Sequence, residues 1–308
     1  MTDPVAPLAD CGAPDTGRAI WLTAADGTRL RMAHWPGTRH VMILPGRTEY
    51  IEKYGLVVRD FVAAGWGAFV LDWRGQGLSD RLLSDPLIGH VARFFDYQRD
   101  LDAALQAADR LAPGPKPWLV HSMGGGIALR GLMRGKRPPA VAFSAPMLGL
   151  HQSHMLTKAL RGLSALLGPL GLDTGYAPTT GPGYGLPSMT FDDNNLTTDR
   201  VQFDRMKAQI TQTPALSLGG PSLHWMGEAA REIASLNALP SPDLPALFGL
   251  GGDESIVSPQ AIRARVATWP KARLHDFPGA KHELMMERDA VRRAFLHEAL
   301  ALFDRTVP

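Results

Sequence analysis

Short apolar runs and longer amphipathic stretches alternate along the chain. Residues 20–35 read IWLTA, an Asp26-Gly27 turn, then RLRMAHW, which predicts a hairpin. Apolar runs then recur as VMIL at 41–44, AFVL at 68–71, WLV at 118–120, AVAF at 140–143 and ALFGL at 246–250. Runs this short and this uniformly apolar predict strands buried on both faces, as in a parallel sheet. Between two of them Phe94, Leu101, Leu105, Ala108 and Leu111 recur at helical spacing, and Pro113 ends the helix. The alternation predicts an α/β fold: a mostly parallel central sheet with helices on both faces.

The rhythm breaks over residues 146–239. This stretch holds the leucine-rich MLTKALRGLSALLGPLGL, a Gly/Pro-rich section and the region around Trp225, after which strands resume. One sheet carrying an insertion is the simplest organisation. It divides the chain into an N-terminal tail (1–17), a first core part (18–145), an inserted helical cap (146–239) and a second core part (240–308). The final AVRRAFLHEALALFD predicts a closing helix.

Composition works by exclusion. A chain of 308 residues, 45% hydrophobic, can bury a large core. Its 32 Lys and Arg nearly balance 30 Asp and Glu without a like-charge run, so the basic stripe of a nucleic-acid binder is missing. The opening MTDPVAPLADCGAPDTGR puts acids and prolines where a secretory signal has basic residues and an apolar run, and no apolar stretch of about 18 residues predicts a membrane span. Cys11 is the only cysteine, which rules out an internal disulfide and suits a cytoplasmic location.

The candidate chemistry sits in WLVHSMGGGIALRGL. An apolar strand runs into Ser122, glycines follow, and a helix begins. A nucleophilic serine at a tight strand-to-helix turn has this layout, with its hydroxyl exposed and the next amide, that of Met123, offered to an oxyanion. Val120 stands where the usual G-x-S-x-G pattern has its first glycine. Serine needs a base, and the base an orienting carboxylate. His282, in PGAKHELMMERD, follows the last expected strand (ARLHDF) and precedes the last helix, the place for a late base. His275 lies within that strand and reads as structural, and His121 is expected to point away from the nucleophile. For the carboxylate, GGDESIVSP after ALFGL offers Asp253 and Glu254, and composition does not choose between them; one of the two is expected to cap the next helix. In ILPGRTEY the Gly46–Arg47 backbone is positioned to give a second oxyanion donor, and in DWRGQGLSD an Asp72–Arg74 ion pair is expected to pin the loop. HELMM has Met286 where a zinc motif needs its second histidine, and GGG at 124–126 lacks dinucleotide spacing. No metal and no cofactor are expected.

Taken together and in this order, HSMGG, PGRTEY, DWRGQGLSD, SAPMLGL at 144–150 and KHELMMERD resemble the monoacylglycerol lipase and bacterial lysophospholipase branch of the α/β-hydrolases. The middle segment LTTDRVQFDRMKAQITQTPALSLGGPSLHWM is similar to this branch's cap. The resemblance implies Ser122 as nucleophile, His282 as base and the amides of Arg47 and Met123 as oxyanion donors. It also implies the register D-x-x-V-x-P for the acid, and Val257 with Pro259 puts Glu254 in that register; Asp253 stays the alternative. The implied activity is hydrolysis of single-acyl lipid esters, a lysophospholipid or a monoacylglycerol. A short-chain carboxylesterase or amidase is the alternative, and a non-catalytic ligand-binding protein on the same fold is a third. Residues 155–172 then read as a lid over Ser122, with Leu156, Leu160, Leu163, Leu167 and Leu170 spaced three or four apart and Lys158 and Arg161 on the wetter side. Leu160 and Leu163 are expected to touch the acyl chain. Transient contact of this cap with the inner face of a membrane stands beside the plainer reading of a helix packed on the core.

Overall fold

The computed structural model describes residues 4–151 and 154–307. Nine strands form one sheet: β1 (Val5–Ala6), β2 (Arg18–Thr23), β3 (Arg29–Trp35), β4 (Arg39–Leu44), β5 (Trp66–Asp72), β6 (Trp118–His121), β7 (Val141–Ser144), β8 (Ala246–Gly251) and β9 (Ala272–Phe277). Their order is β1-β2-β3-β5-β4-β6-β7-β8-β9. Strands β1 to β3 join antiparallel, β3 pairs antiparallel with β5, and all pairings from β5 to β9 are parallel. The mostly parallel sheet follows from the apolar runs. The residues read as a tail are drawn into it, since β1 adds an edge strand and Ala6 and Cys11 are buried.

The sheet is buried on both sides by strict alternation. Met42 and Leu44, Phe69 and Leu71, Val141 and Phe143 face one apolar cluster. Val41 and Ile43, Ala68 and Val70, Ala142 and Leu247 face the other. Helices α2 (Tyr97–Leu111) and α3 (Met123–Met133) cover the first face, and α1 (Gly55–Ala63) and α8 (Asp289–Thr306) cover the second. Phe143 and Phe248 stack at 4.5 Å with Trp269 edge-on to both, so truncating Phe143 to Ala costs about 3–5 kcal/mol. β9 is the polar edge, where His275 pairs with Glu298.

Between β7 and β8 the chain contributes α4 (His154–Leu167), α5 (Arg200–Gln212) and α6 (Leu223–Asn237). Asp199 caps α5 by accepting from the amides of Val201 and Gln202, and Ser222 caps α6 by accepting from Trp225. The start of α6 is stitched to the sheet side of the molecule. Gly89 bridges Pro221, the Ser222 hydroxyl meets His90 Nδ1 at 2.9 Å, and Trp225 Nε1 donates to Tyr97. Helix α7 (Pro259–Ala267) follows β8; its cap is Ser258, with Pro259 at the first helical position, so neither Asp253 nor Glu254 is spent on that role. No helix among the described residues is long and apolar enough to cross a membrane.

Candidate active site

Ser122 occupies the turn between β6 and α3 with φ 48° and ψ −116°. A non-glycine residue in that region stores about 1–3 kcal/mol of strain, so its neighbours must impose it. Four contacts do so: Ser122 N–H donates to the Ser144 carbonyl at 3.0 Å, and the Ser122 carbonyl accepts from Gly125 and Met147 at 2.9 Å each and from Gly126 at 3.3 Å. The glycines after it are required by close approach rather than by φ. A Cβ on Gly124 would stand 2.3 Å from the Leu44 carbonyl oxygen, and one on Gly125 would stand 2.6 Å from Pro146 Cβ. Val120, by contrast, buries its side chain in the core, so a residue larger than glycine is accommodated there.

His282 lies in the loop between β9 and α8, fixed by its neighbours: Lys281 N–H donates to Glu287 at 2.9 Å and Glu283 N–H to the Leu196 carbonyl at 2.8 Å. Its Nδ1 is 2.7 Å from Glu254 Oε2. The second oxygen of Glu254 accepts from the amides of Ile256 (2.7 Å) and Val257 (3.0 Å). Burial raises the Glu254 carboxyl, but the hydrogen bond and charge of His282, with those two amides, outweigh it and hold the group below its ordinary value. The neighbouring Asp253 is exposed, and its backbone N–H goes to the Ala280 carbonyl. Of the two carboxylates, Glu254 is the one that meets the imidazole. With Nδ1 engaged, Nε2 is the nitrogen left to face a hydroxyl.

The loop after β4 lies against Ser122: a Cβ on Gly46 would come within 3.2 Å of Ser122 Cβ. Trp73 Nε1 donates to the Pro45 carbonyl at 2.8 Å and Gln76 Nε2 to the Gly46 carbonyl at 2.7 Å, which fixes the peptide leading to Arg47. Met123 opens α3 beside the same serine. The loop after β5 is pinned differently from expectation. Asp72 pairs with Arg31 at 2.7 Å, while Arg74 pairs with Asp100 at 2.6 Å and Asp26 at 2.8 Å. Asp72 also accepts from the amides of Ile51 and Leu78, and a Cβ on Gly77 would fall 2.1 Å from its carboxyl carbon. That carboxylate is therefore turned under its own loop and away from Arg74.

Sequence reasoning passed over a buried polar cluster beside the base. The ring of His121 lies 4.7 Å from that of His282, with Nδ1 donating to the Ser144 carbonyl at 3.0 Å. Burial pushes its pKa down to about 4, against the opposing pull of Glu49, so the ring is neutral near pH 7. Lys53 bridges Glu49 (2.7 Å) and Glu283 (2.6 Å), and Glu49 also accepts from Tyr54 at 2.6 Å and from the Gly46 amide. Burial raises the Glu283 carboxyl despite Lys53, and its Oε2 has no partner. Glu49, His121 and Glu283 offer ligand atoms within 4.8 Å of one another, a spacing that suits a cation, and the Lys53 ammonium already bridges the two carboxylates. Glu49 and Glu283 stand in the PGRTEY and KHELMM segments; the sequence signal was acid next to a motif, and only folding shows that the two acids meet.

In the insertion, α4 packs on α6. Leu160 is partly buried against the core, while Leu163 is 39% exposed. Two cavities, of about 270 and 280 Å³, are lined by Arg81 with Pro214 and by Arg39 with Lys116; Ser122, Leu160 and Leu163 line neither. The side chains of Leu156 and Lys158 lie outside the described residues.

Comparison with known proteins gives the arrangement relatives. Residues 37–289 match the Hydrolase_4 family, described as serine aminopeptidase, S33. Lysophospholipase L2 of Escherichia coli (strain K12) is 33% identical over 300 residues, covering 92% of this chain and 86% of that protein. A solved monoglyceride lipase from Saccharomyces cerevisiae superposes with a TM-score of 0.73 at 21% identity, over 100% of this chain and 97% of that one. A monoacylglycerol lipase from Paleococcus ferrophilus gives 0.68 at 18% identity, over 89% and 99%.

Proposed function

The chain belongs to the serine aminopeptidase S33 family of α/β-hydrolases, in its lysophospholipase and monoacylglycerol lipase branch, and is an ester hydrolase; from that premise we propose that it deacylates single-acyl lipids, lysophospholipids first, through Ser122, His282 and Glu254. The observation that carries the reading is the His282–Glu254 hydrogen bond of 2.7 Å beside a serine held at φ 48°. Ser122 Oγ attacks the ester carbonyl as His282 Nε2 takes its proton. The amides of Met123 and Arg47 hold the oxyanion, and Glu254 stabilises the imidazolium. The imidazolium returns the proton to the departing glyceryl oxygen, and water then releases the fatty acid from Ser122 by the same route. The lysophospholipid preference rests on the relative at 33% identity. In this reading residues 146–239 are a cap, and Leu160 and Leu163 border the acyl chain.

The test is turnover of p-nitrophenyl esters from short to long chain beside a lysophospholipid and a monoacylglycerol of equal acyl length, with fluorophosphonate labelling of the nucleophile. Labelling at Ser122 with long-chain preference supports the reading. Turnover confined to short esters would give the function to a short-chain carboxylesterase.

A further inference from the structure

Arg47 carries a second group beside its backbone amide. Its guanidinium reaches from the loop after β4 to the segment before α6, where Nη2 donates to the Gly219 carbonyl at 2.8 Å. The cation lies 5.3 Å from the ring centroid of Trp225. Nε is buried without an acceptor, and the residue as a whole is half-buried. Gly89 makes the room: a Cβ there would stand 2.4 Å from Nη2. Burial pushes the Arg47 pKa down to about 10, opposed by Tyr97 and Tyr184 and by no carboxylate. Buried Arg265 also lacks a carboxylate, but its terminal nitrogens donate to the Leu239 and Leu236 carbonyls, whereas other buried arginines are ion-paired. Arg31 is held by Asp72 and Glu52, and Arg74 by Asp100 and Asp26. Arg47 has no ion-pair partner among the described residues. A desolvated charge without a counter-ion is costly, and an anion that docks on it recovers that cost.

We propose that the Arg47 guanidinium binds the phosphate of the substrate's head group and so selects lysophospholipid over monoacylglycerol, an inference that rests on Ser122 being the nucleophile. A guanidinium is a planar fork of N–H donors that fits two phosphate oxygens. Position agrees, because Arg47 follows the Gly46 that packs on Ser122. In a lysophospholipid one glycerol unit separates ester from phosphate, a reach comparable with an extended arginine side chain. A monoacylglycerol presents a hydroxyl there, which leaves the cation without a counter-ion.

The experiment compares wild type, Arg47→Met and Arg47→Lys on lysophosphatidylglycerol and on a monoacylglycerol of the same acyl chain. Arg47→Met is expected to lose at least about 30-fold more kcat/KM on the phosphorylated substrate than on the neutral one, with part of that difference restored in Arg47→Lys. Binding is read separately, by calorimetry in the Ser122→Ala background, with an alkyl ether of glycerol phosphate, the matching alkylglycerol and the free fatty acid. The phosphate ether is expected to bind tightest, and its advantage to vanish with Arg47→Met. Equal losses on both substrates, or a fatty acid whose binding depends on Arg47 as much as the ether's does, overturn the phosphate assignment. Absence of fluorophosphonate labelling at Ser122 in wild type defeats the nucleophile assignment instead, and the calorimetric arm stays readable in that case.

Discussion

The turn that carries Ser122 and the helix α4 of the insertion are built by opposite rules. At the turn, the backbone of one strained residue is tied by four hydrogen bonds, and glycines at 124 and 125 let β4 and the segment after β7 press against it. The His282–Glu254 pair beside it is equally closed, with both Glu254 oxygens engaged. On α4, Leu163 is 39% exposed and Leu166 71%, and Leu170 just beyond is 70% exposed. Among the described residues, the polar ties there include Ser164 donating to Asp173 at 2.9 Å and Asp173 meeting His224 at 2.8 Å. Groups that transfer protons need a geometry fixed to a fraction of an ångström, whereas an alkyl chain needs only apolar area. On the proposed function, the difference between the two regions is a difference in what each must do.

The sharpest break of this comparison is at the turn. Ser122→Ala is expected to lower ester turnover by roughly 10⁴–10⁶-fold, and His282→Ala by about as much, because the two act as a unit. Both variants should melt cooperatively near wild type. Ser122→Gly removes the penalty of φ 48° and is expected to raise stability by about 1 kcal/mol while abolishing turnover. Turnover close to wild type in the alanine variants would end the assignment. A melting point lowered in Ser122→Gly would show that the turn is not strained.

Next in size is the acid. Glu254→Gln is expected to cost at least about 10²-fold in turnover, since an amide can hold the imidazole in the wrong tautomer. Asp253→Asn is expected to cost little, because that side chain is exposed. The reverse order would transfer the role to Asp253.

Much of the fold was legible because burial on both faces leaves a crude mark, runs of Val, Ile, Leu and Phe without alternation. The order of motifs was legible as well, since Ser122, Glu254 and His282 each follow a strand. Long-range pairing was not. The Asp72–Arg74 pair looked natural from spacing alone, yet β5 ends at Asp72 and the chain turns at Arg74, and each found its partner on another element. His121 is the last residue of β6, and the 4.7 Å approach of its ring to that of His282 is likewise a contact that no local pattern predicts. The Glu49–Lys53–Glu283 cluster joins residues more than two hundred positions apart, a distance no local pattern spans.

The closed side of the comparison also predicts a pH dependence. The Glu254 carboxyl is held below its ordinary value in the folded state. Its contribution to stability is then fully present above the unfolded value of about 4.3 and is lost as pH falls through the lower folded value. The destabilisation caused by Glu254→Gln, read from urea midpoints, is expected to be largest near neutrality and to shrink below about pH 4. A difference between the two proteins that stays constant over this range would mean that the carboxylate is not held by its partners.

The smallest effects belong to α4, and they separate contact with the acyl chain from contact with a membrane. Leu160 is partly buried against the core, so Leu160→Asp removes packing as well as apolar surface and is expected to destabilise by about 1–3 kcal/mol. Leu163, at 39% exposure, stands at the boundary and is the cleaner probe. If it borders the acyl chain, Leu163→Asp lowers the ratio of long-chain to short-chain turnover by at least about fivefold, the equivalent of part of one leucine's burial. Leu166 and Leu170 face solvent and carry no such expectation for short, dissolved esters. Replacing both with Asp is expected to leave that chain-length ratio within about twofold and stability within about 0.5 kcal/mol. Membrane contact through the same face would show itself elsewhere, as wild-type protein that co-sediments with anionic liposomes and a double variant that does not. A chain-length ratio untouched by Leu163→Asp would make α4 a helix merely packed on its neighbours. A ratio that falls in the double Leu166/Leu170 variant as well would mean that the exposed face itself receives the acyl chain, so that α4 must turn toward the site when substrate binds.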